Sequence, residues 1–392
     1  MGQFSVEKLV LPGSALSGNQ HMAVREAKRM KLRKRPTLDR CIAVAGKLNL
    51  YGPIDELSRI RARGKPSGGI RVTHLFGIEH RTAQRMVKRA LSPTVILEPF
   101  QFTHKGTHVA IAAVSEALAS GFRYYAHLDV REFFPSFELE MLAPELPLPK
   151  EVVQRVVVGR HLATVLDKVE GKGSHHTPLP HPHTLHSLTH EARRGLPLGS
   201  ICSPIVGVNA VSHLDWVPIK TAKLFNYADN FLVVATNKLR LEKRVEKLVG
   251  SVAEMPGGSF KLKLISEGLA TEGIEFLGHM MSTTVGGAVQ VRLSEGAKNV
   301  FYKRLTEWEQ ILSVKGYLAG HHDKQKCIEV VAEMLSFIAG WREAFKACDD
   351  VDRWVLLARD AITQHCKKLH LTYDEVAQGV VAMPSAQIIP YS

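Results

Sequence analysis

Cysteine is scarce in this sequence, and long apolar runs are missing. The five cysteines, Cys41, Cys202, Cys327, Cys348 and Cys366, are scattered and form no CxxC pair. That spacing excludes a zinc ribbon and a disulfide framework and fits a reducing, cytoplasmic setting. No stretch approaches the roughly 20 apolar residues that span a bilayer. The first residues lack a continuous hydrophobic signal segment, so neither a membrane protein nor a secreted one is expected. No internal repeat is found. Acids are in the minority: 51 Lys and Arg stand against 38 Asp and Glu, a net charge of +13. Such a balance points to a polyanionic partner. The 392 residues, 45% apolar, suffice for a large core and two or three domains.

What is present begins with cations. Arg25 to Arg40 is basic and free of Pro and Gly up to Pro36, which predicts a helix, with a second over 37–50. Lys65 to Arg71 contains Gly68-Gly69, a hairpin signal between short basic strands. Helices are expected over 79–91 and 106–120, a strand over 124–130, and helical material over 139–146 and 151–167. The segment 170–189 is rich in Gly, Pro and His. His175, His176, His181, His183, His186 and His190 lie in it or just after it. Without Cys, Asp or Glu partners at ligand spacing, it reads as a surface loop or polar insertion rather than a metal site. A helical stretch follows Gly199-Ser200, then a charged helix over 238–249 and strands over 262–264 and 274–280. Beyond Ser294 the pattern turns wholly helical, with helices over 296–314, 323–338, 341–348 and 351–368.

Two acids break this pattern. Asp129 lies in the run Tyr125-Ala126-His127-Leu128-Asp129-Val130. Asp229 lies in Tyr227-Ala228-Asp229-Asn230, between Leu224-Phe225 and Phe231-Leu232-Val233-Val234-Ala235. A carboxylate at the end of a buried strand is costly unless a cation uses it. Two such acids suggest a divalent site for phosphoryl transfer, and hard oxygen donors suit Mg²⁺.

The residues around these acids resemble the bacterial-type reverse transcriptases, the group that includes group II intron, retron, diversity-generating and defence-associated enzymes. Asp129-Val130-Arg131-Glu132-Phe133-Phe134-Pro135 is similar to the first catalytic motif of that family. Gly195-Leu196-Pro197-Leu198-Gly199, with Ser203-Pro204 and Asn209, is similar to the second, and Tyr227-Ala228-Asp229-Asn230 to the third. Phe276-Leu277-Gly278 resembles the primer-grip turn, Lys65 to Arg71 the fingers hairpin, and Phe102 with Gly106 the stretch before the palm. The segment Phe337 to Phe345 is similar to the thumb of intron-type enzymes. The likeness runs from about residue 60 to 350 in the order of the family.

The resemblance implies an α+β, right-hand polymerase fold with an all-helical thumb. The domains would be a basic extension (1–55), fingers with palm helices (56–122 and 139–215), a palm core (123–138 and 216–290) and a thumb with C-terminal tail (291–392). It implies an RNA-directed DNA polymerase, a magnesium-dependent nucleotidyltransferase that also tolerates Mn²⁺. Asp129, Asp229 and the Val130 carbonyl would hold two Mg²⁺ ions. Lys65, Arg71, Phe134 and Gly199 would bind the incoming dNTP, with Phe134 excluding a 2′-hydroxyl. Gly195 and Gly199 would let the backbone approach template and nucleotide closely. Tyr227, Phe276, Leu277 and Gly278 would seat template and primer, and Lys298, Lys303 and Arg304 would touch phosphates.

Three positions depart from the family pattern. Asn230 stands where a second Asp is usual, and Leu198 where Gln is common. Lys261 or Lys263 would replace a lysine that has no clean counterpart. The expected partners are an RNA template or structured non-coding RNA, an RNA–DNA hybrid and dNTPs, with a protein partner or oligomer open. No nuclease, integrase or maturase-type tail is recognised, so the expected setting is a stand-alone enzyme, including antiviral defence. Two alternatives stay open: DNA synthesis that is template-independent or protein-primed, and a catalytically weakened RNA-binding protein.

Overall fold

The computed structural model describes residues 21–27, 36–64, 70–169, 185–284, 286–318 and 324–372. Lys65, the Gly68-Gly69 turn, residues 28–35 of the basic run and the histidines at 175, 176, 181 and 183 lie outside them. Helix α1 (Leu38–Lys47), strands β1 (Ser58–Gly64) and β2 (Ile70–Leu75), and helices α2 (Ile78–Leu91) and α3 (Thr107–Ala119) come first. They are followed by β3 (Tyr124–Val130), β4 (Thr164–Val169), α4 (Leu185–Ala192), α5 (Ser203–Ser212), β5 (Ala222–Tyr227), β6 (Asn230–Ala235) and α6 (Lys238–Ala253). Strands β7 (Leu262–Leu269), β8 (Ile274–Phe276), β9 (His279–Thr283) and β10 (Val289–Leu293) precede helices α7 (Glu295–Leu318), α8 (Lys324–Ala344) and α9 (Val351–Lys368). The chain divides into two compact units, one of Met1–Gln101, Asp129–Val217 and Glu246–Lys263, the other of Phe102–Leu128, Pro218–Val245 and Leu264–Ser392.

The first unit holds a three-stranded sheet in the order β2-β1-β4. Strand β1 alternates strictly. Ser58, Ile60 and Ala62 are buried, and Arg59, Arg61 and Arg63 lie on the opposite face, as a period of two requires. The buried side packs Ile60, Ala62 and Val72 on Leu188 and Ala192 of α4. Residues 21–27 form a helical turn whose Ala23 and Ala27 pack on Cys41, Val44 and Ala45 of α1 and on Ile78. Glu26 is fully buried there and accepts from Arg81 at 2.9 Å and Arg85 at 2.7 Å. Two cations of α2 thereby neutralise a charge that could not be buried alone.

One expectation fails in this unit. The stretch 151–167 is not one helix: the helical turn ends at Val157, and Thr164–Val169 is a strand. It pairs in parallel with β1, Ser58 opposite Thr164 and Ile60 opposite Leu166. The β-branched residues Thr164 and Val165 fit a pleat better than a helix, and β1 offers the free edge.

The second unit carries a sheet in the order β5-β6-β3-β7 and a smaller one in the order β10-β9-β8; β3 belongs to it through Leu128 and β7 from Leu264. Strand β6 is buried along its whole length except Asn230, so both its faces are apolar. Its core joins Ile111 and Val114 of α3, Leu232 and Val234 of β6, Ile274 and Phe276 of β8, and Phe301, Trp341 and Val355 of the last three helices. In α9 the buried residues Val351, Val355, Ala358 and Ile362 follow the three-and-four spacing of an amphipathic helix. The expected break between 338 and 341 does not occur, because α8 runs through Gly340 to Ala344. A glycine costs about 1 kcal/mol in a helix, too little to interrupt one anchored by buried Ile338 and Trp341.

Candidate active site

Asp229 sits in a two-residue turn of the second unit. Strands β5 and β6 pair antiparallel with Tyr227 opposite Asn230, so Ala228 and Asp229 alone form the loop. Ala228 takes φ +55°. A two-residue hairpin needs a positive φ there, and glycine is the usual occupant. With alanine the conformation costs about 1–3 kcal/mol and persists only where neighbours enforce it. Thr103 Oγ1 accepts from the Ala228 N–H at 2.8 Å. Asn226, almost wholly buried, donates its Nδ2 to the carbonyls of Ala228 at 2.9 Å and Asn230 at 3.1 Å. Its main-chain carbonyl accepts from Phe102. Two residues outside the loop, Thr103 and Asn226, thus hold its shape with three hydrogen bonds.

Asn230 is the second half of this turn. Its Nδ2 donates to Asp229 Oδ1 at 3.1 Å. Its Oδ1 accepts from His127 Nε2, on β3, at 3.2 Å. The carboxylate only accepts, so the amide NH₂ must face Asp229 and the oxygen must face a donor. His127 is packed edge-on against Phe276, ring centroids 5.4 Å apart. Burial pushes its imidazole pKa down, against the opposing pull of the Asn230 hydrogen bond and of Glu275. Two residues further along β3, on the same alternating face, comes half-exposed Asp129, followed by buried Val130.

A cleft of about 820 Å³ opens beside this network, lined by Tyr125, His127, Asn230, Leu277, Gly278, Val300 and Trp341. Leu277 and Gly278 form the turn from β8 to β9 with φ +50° and +75°. A Cβ at Gly278 would stand 3.1 Å from the Phe345 ring. Phe276 does not line the cleft; it is completely buried beneath it. Tyr227 is likewise part of the core, and burial pushes its hydroxyl pKa up. Lys298 is paired with Glu295 at 2.7 Å and Arg304 with Glu307 at 3.0 Å.

In the first unit the second motif lies on backbone rather than in open space. Gly195 has φ +52°, and a Cβ there would meet the Phe134 carbonyl oxygen at 2.1 Å. Gly199 has φ +97°, and its Cβ would meet the His74 carbonyl oxygen at 2.4 Å. Both glycines are needed for contacts within the protein, which is a reason for them that the sequence does not disclose. Leu198 is part of the same seam, its carbonyl accepting from the His74 N–H at 2.8 Å. Phe134 is half-exposed, with one edge on Phe133, centroids 5.4 Å apart. Lys261 and Lys263 are exposed, and the Lys261 carbonyl accepts from the Arg131 N–H. Arg71 stands directly opposite Arg63 across the β1–β2 ladder. Among the described residues the ion pairs of this sheet join Arg59 and Arg61 to Asp167; neither Arg63 nor Arg71 has one.

Four residues of these sites carry no signal strong enough to single them out: His127, Asn226, Thr103 and Arg63. Only His127 has a local cue, being polar and two residues before Asp129 on an otherwise buried strand. Among the described residues no group of three or more His, Cys, Asp or Glu side chains is arranged to hold a metal.

No protein-family model matches the chain, and no curated protein matches it in sequence. Among solved structures it is similar to a telomerase from Candida albicans in complex with a fragment of telomeric RNA, at 13% identity and TM-score 0.37. That match covers 84% of this chain and 65% of the telomerase. It is also similar to the Sicinivirus 3Dpol RNA-dependent RNA polymerase, at 10% identity and TM-score 0.36, covering 85% of this chain and 69% of that one. A truncated apo telomerase from Candida tropicalis matches at 11% identity and TM-score 0.35, covering 62% of this chain and 56% of that one. The structural neighbours are thus telomerases and an RNA-dependent RNA polymerase.

Proposed function

We propose that this chain is an RNA-directed DNA polymerase, joining dNMP from a dNTP to a primer 3′-hydroxyl with release of pyrophosphate. The observation that carries the reading is the β5–β6 turn: a strained, thrice-braced hairpin whose only purpose in packing terms would be met more cheaply by glycine, and which holds Asp229 at its tip. Strain of this kind is retained where a side chain must be presented in one place. The donor set fits Mg²⁺, since the carboxylates of Asp129 and Asp229 and the Val130 carbonyl are all hard oxygen ligands. Bound there, two cations would supply Lewis-acid stabilisation of the charge that builds on the phosphoryl oxygens.

The remaining roles belong to the chain itself. The 3′-oxygen bonds to the α-phosphorus as the bond from that phosphorus to the bridging β-phosphate oxygen breaks, the hydroxyl proton passes to solvent water and pyrophosphate leaves. Arg71 would meet the negative charge of the triphosphate, and half-exposed Phe134 would bar a 2′-hydroxyl. Leu277 and Gly278 would bear on the primer end, with Phe276 supporting the turn from below. A structured RNA is the partner that the net charge of +13 favours.

The test is dNTP incorporation on a primed RNA template with Mg²⁺. Asp229→Asn should abolish incorporation and leave RNA binding intact. Incorporation at the wild-type rate in that variant would overturn the proposal.

A further inference from the structure

Asn230 is best understood together with a residue 103 positions away in sequence. Its amide is held at both ends: Oδ1 by His127 at 3.2 Å and Nδ2 on Asp229 at 3.1 Å. Had position 230 been an acid, its oxygens could not donate to Asp229, and two carboxylates would face each other across one turn. With Asn and His the network has a single consistent polarity, running from the imidazole N–H through the amide to the carboxylate. His127 is itself held against β8, by edge contact with Phe276 and by Glu275. Both His127 and Asn230 face the cleft that Leu277 and Gly278 also line.

We infer that His127 is a positioning residue, which acts through Asn230 to fix the orientation of the Asp229 carboxylate and ties the acid hairpin to the Phe276–Gly278 turn. This rests on the proposed function in that Asp229 is taken as a metal ligand. The departure at 230 is then a matched exchange rather than a loss, because the amide oxygen of Asn230 accepts a hydrogen bond and His127 supplies it. Groups that orient a ligand from behind typically change metal affinity 10–100-fold when removed.

The experiment is titration of the full chain with Mn²⁺ alone, followed by electron paramagnetic resonance, for the wild type and for Asp229→Asn, His127→Phe, His127→Gln, Asn230→Ala and the double variant His127→Phe/Asn230→Ala. Asp229→Asn should lose the site. His127→Phe and Asn230→Ala should each weaken Mn²⁺ binding about tenfold. The double variant should bind no more weakly than the worse single one, since both break one chain of bonds. His127→Gln keeps a side-chain N–H donor and should recover most of the affinity. That recovery also separates lost orientation from a merely misfolded His127→Phe chain, as does Asn230→Ala, which removes a half-exposed group. Wild-type affinity in His127→Phe, or a double loss equal to the product of the single ones, would overturn the inference alone if Asp229→Asn had lost the site. If Asp229→Asn binds Mn²⁺ like the wild type, the metal reading falls and this inference falls with it.

Discussion

Gly195 lies directly beneath Phe134: a Cβ at 195 would stand 2.1 Å from the Phe134 carbonyl oxygen and 2.8 Å from Pro135 Cα. The same carbonyl accepts from the Leu196 N–H at 2.8 Å. Gly195→Ala therefore meets two costs, a positive φ and a collision with backbone that cannot rotate away. Gly121 is the control. It has φ +95° with nothing within 4 Å of its Cβ position, so Gly121→Ala should cost only the conformational part, about 1–2 kcal/mol. Gly195→Ala should cost clearly more in a urea melt and shift the Phe134 loop. Equal losses in the two variants would show that the seam gives way easily.

Phe134 itself is half-exposed, its ring tilted against Phe133. Its removal should be cheaper than that of a core aromatic, roughly 1 kcal/mol for a half-buried ring. Phe134→Ala should therefore fold and, under the proposed function, incorporate ribonucleotides far better relative to deoxynucleotides. A constant ratio of the two substrates would remove Phe134 from sugar selection.

The strands and helices with strong periodicity were legible from residue order. The span 124–130 emerges as β3, and the basic hairpin flanking Lys65 emerges as β1 and β2. What residue order cannot display is pairing at long range. Thr164–Val169 becomes a strand because β1 offers it an edge, and its local cue, the β-branched Thr164 and Val165, is too short to outweigh the helical reading. The same holds at the site. Asp229 stands out as an acid among apolar residues, whereas Asn226 and Thr103 matter only because a turn 125 residues from Thr103 borrows their hydrogen bonds. Glycines 195 and 199 were legible as special, but the neighbour each one touches was not.

Arg63 and Arg71 face each other across the β1–β2 ladder. Like charges directly opposite destabilise a sheet by a few tenths to about 1 kcal/mol. Under the proposed function the negative charge of the triphosphate would offset that repulsion. Arg71→Ala should thus stabilise the fold slightly at low salt, with the gain fading toward 1 M salt, where screening acts over about 3 Å. Under the proposed function it should at the same time raise the KM for dNTP. A variant less stable at every salt concentration would mean that the guanidinium packs structurally instead.

Two buried histidines, one in each unit, set an acid limit on stability. His74 accepts from Ser58 Oγ at 2.7 Å and donates Nε2–H to the Ala192 carbonyl at 2.8 Å. His279 donates Nδ1–H to the Leu277 carbonyl at 2.9 Å. Burial pushes the pKa of each down to about 4, against the ordinary 6.5 of an unfolded chain. Above pH 6.5 neither state carries the proton, and their contribution is complete. Between 6.5 and 4 the unfolded chain binds protons that the folded one refuses, so stability falls as pH falls; below 4 the loss levels off. Each histidine should remove roughly 1.4 kcal/mol by pH 5.5, and about 3 kcal/mol in full, at 1.36 kcal/mol per pH unit. Urea midpoints at pH 7.5 and 5.5 should differ accordingly in the wild type. His279→Phe, which keeps an aromatic ring against Phe345, should remove only the share of His279 from that difference, roughly 1.4 kcal/mol. A midpoint that does not move between the two pH values would show that these imidazoles take up protons in the folded state.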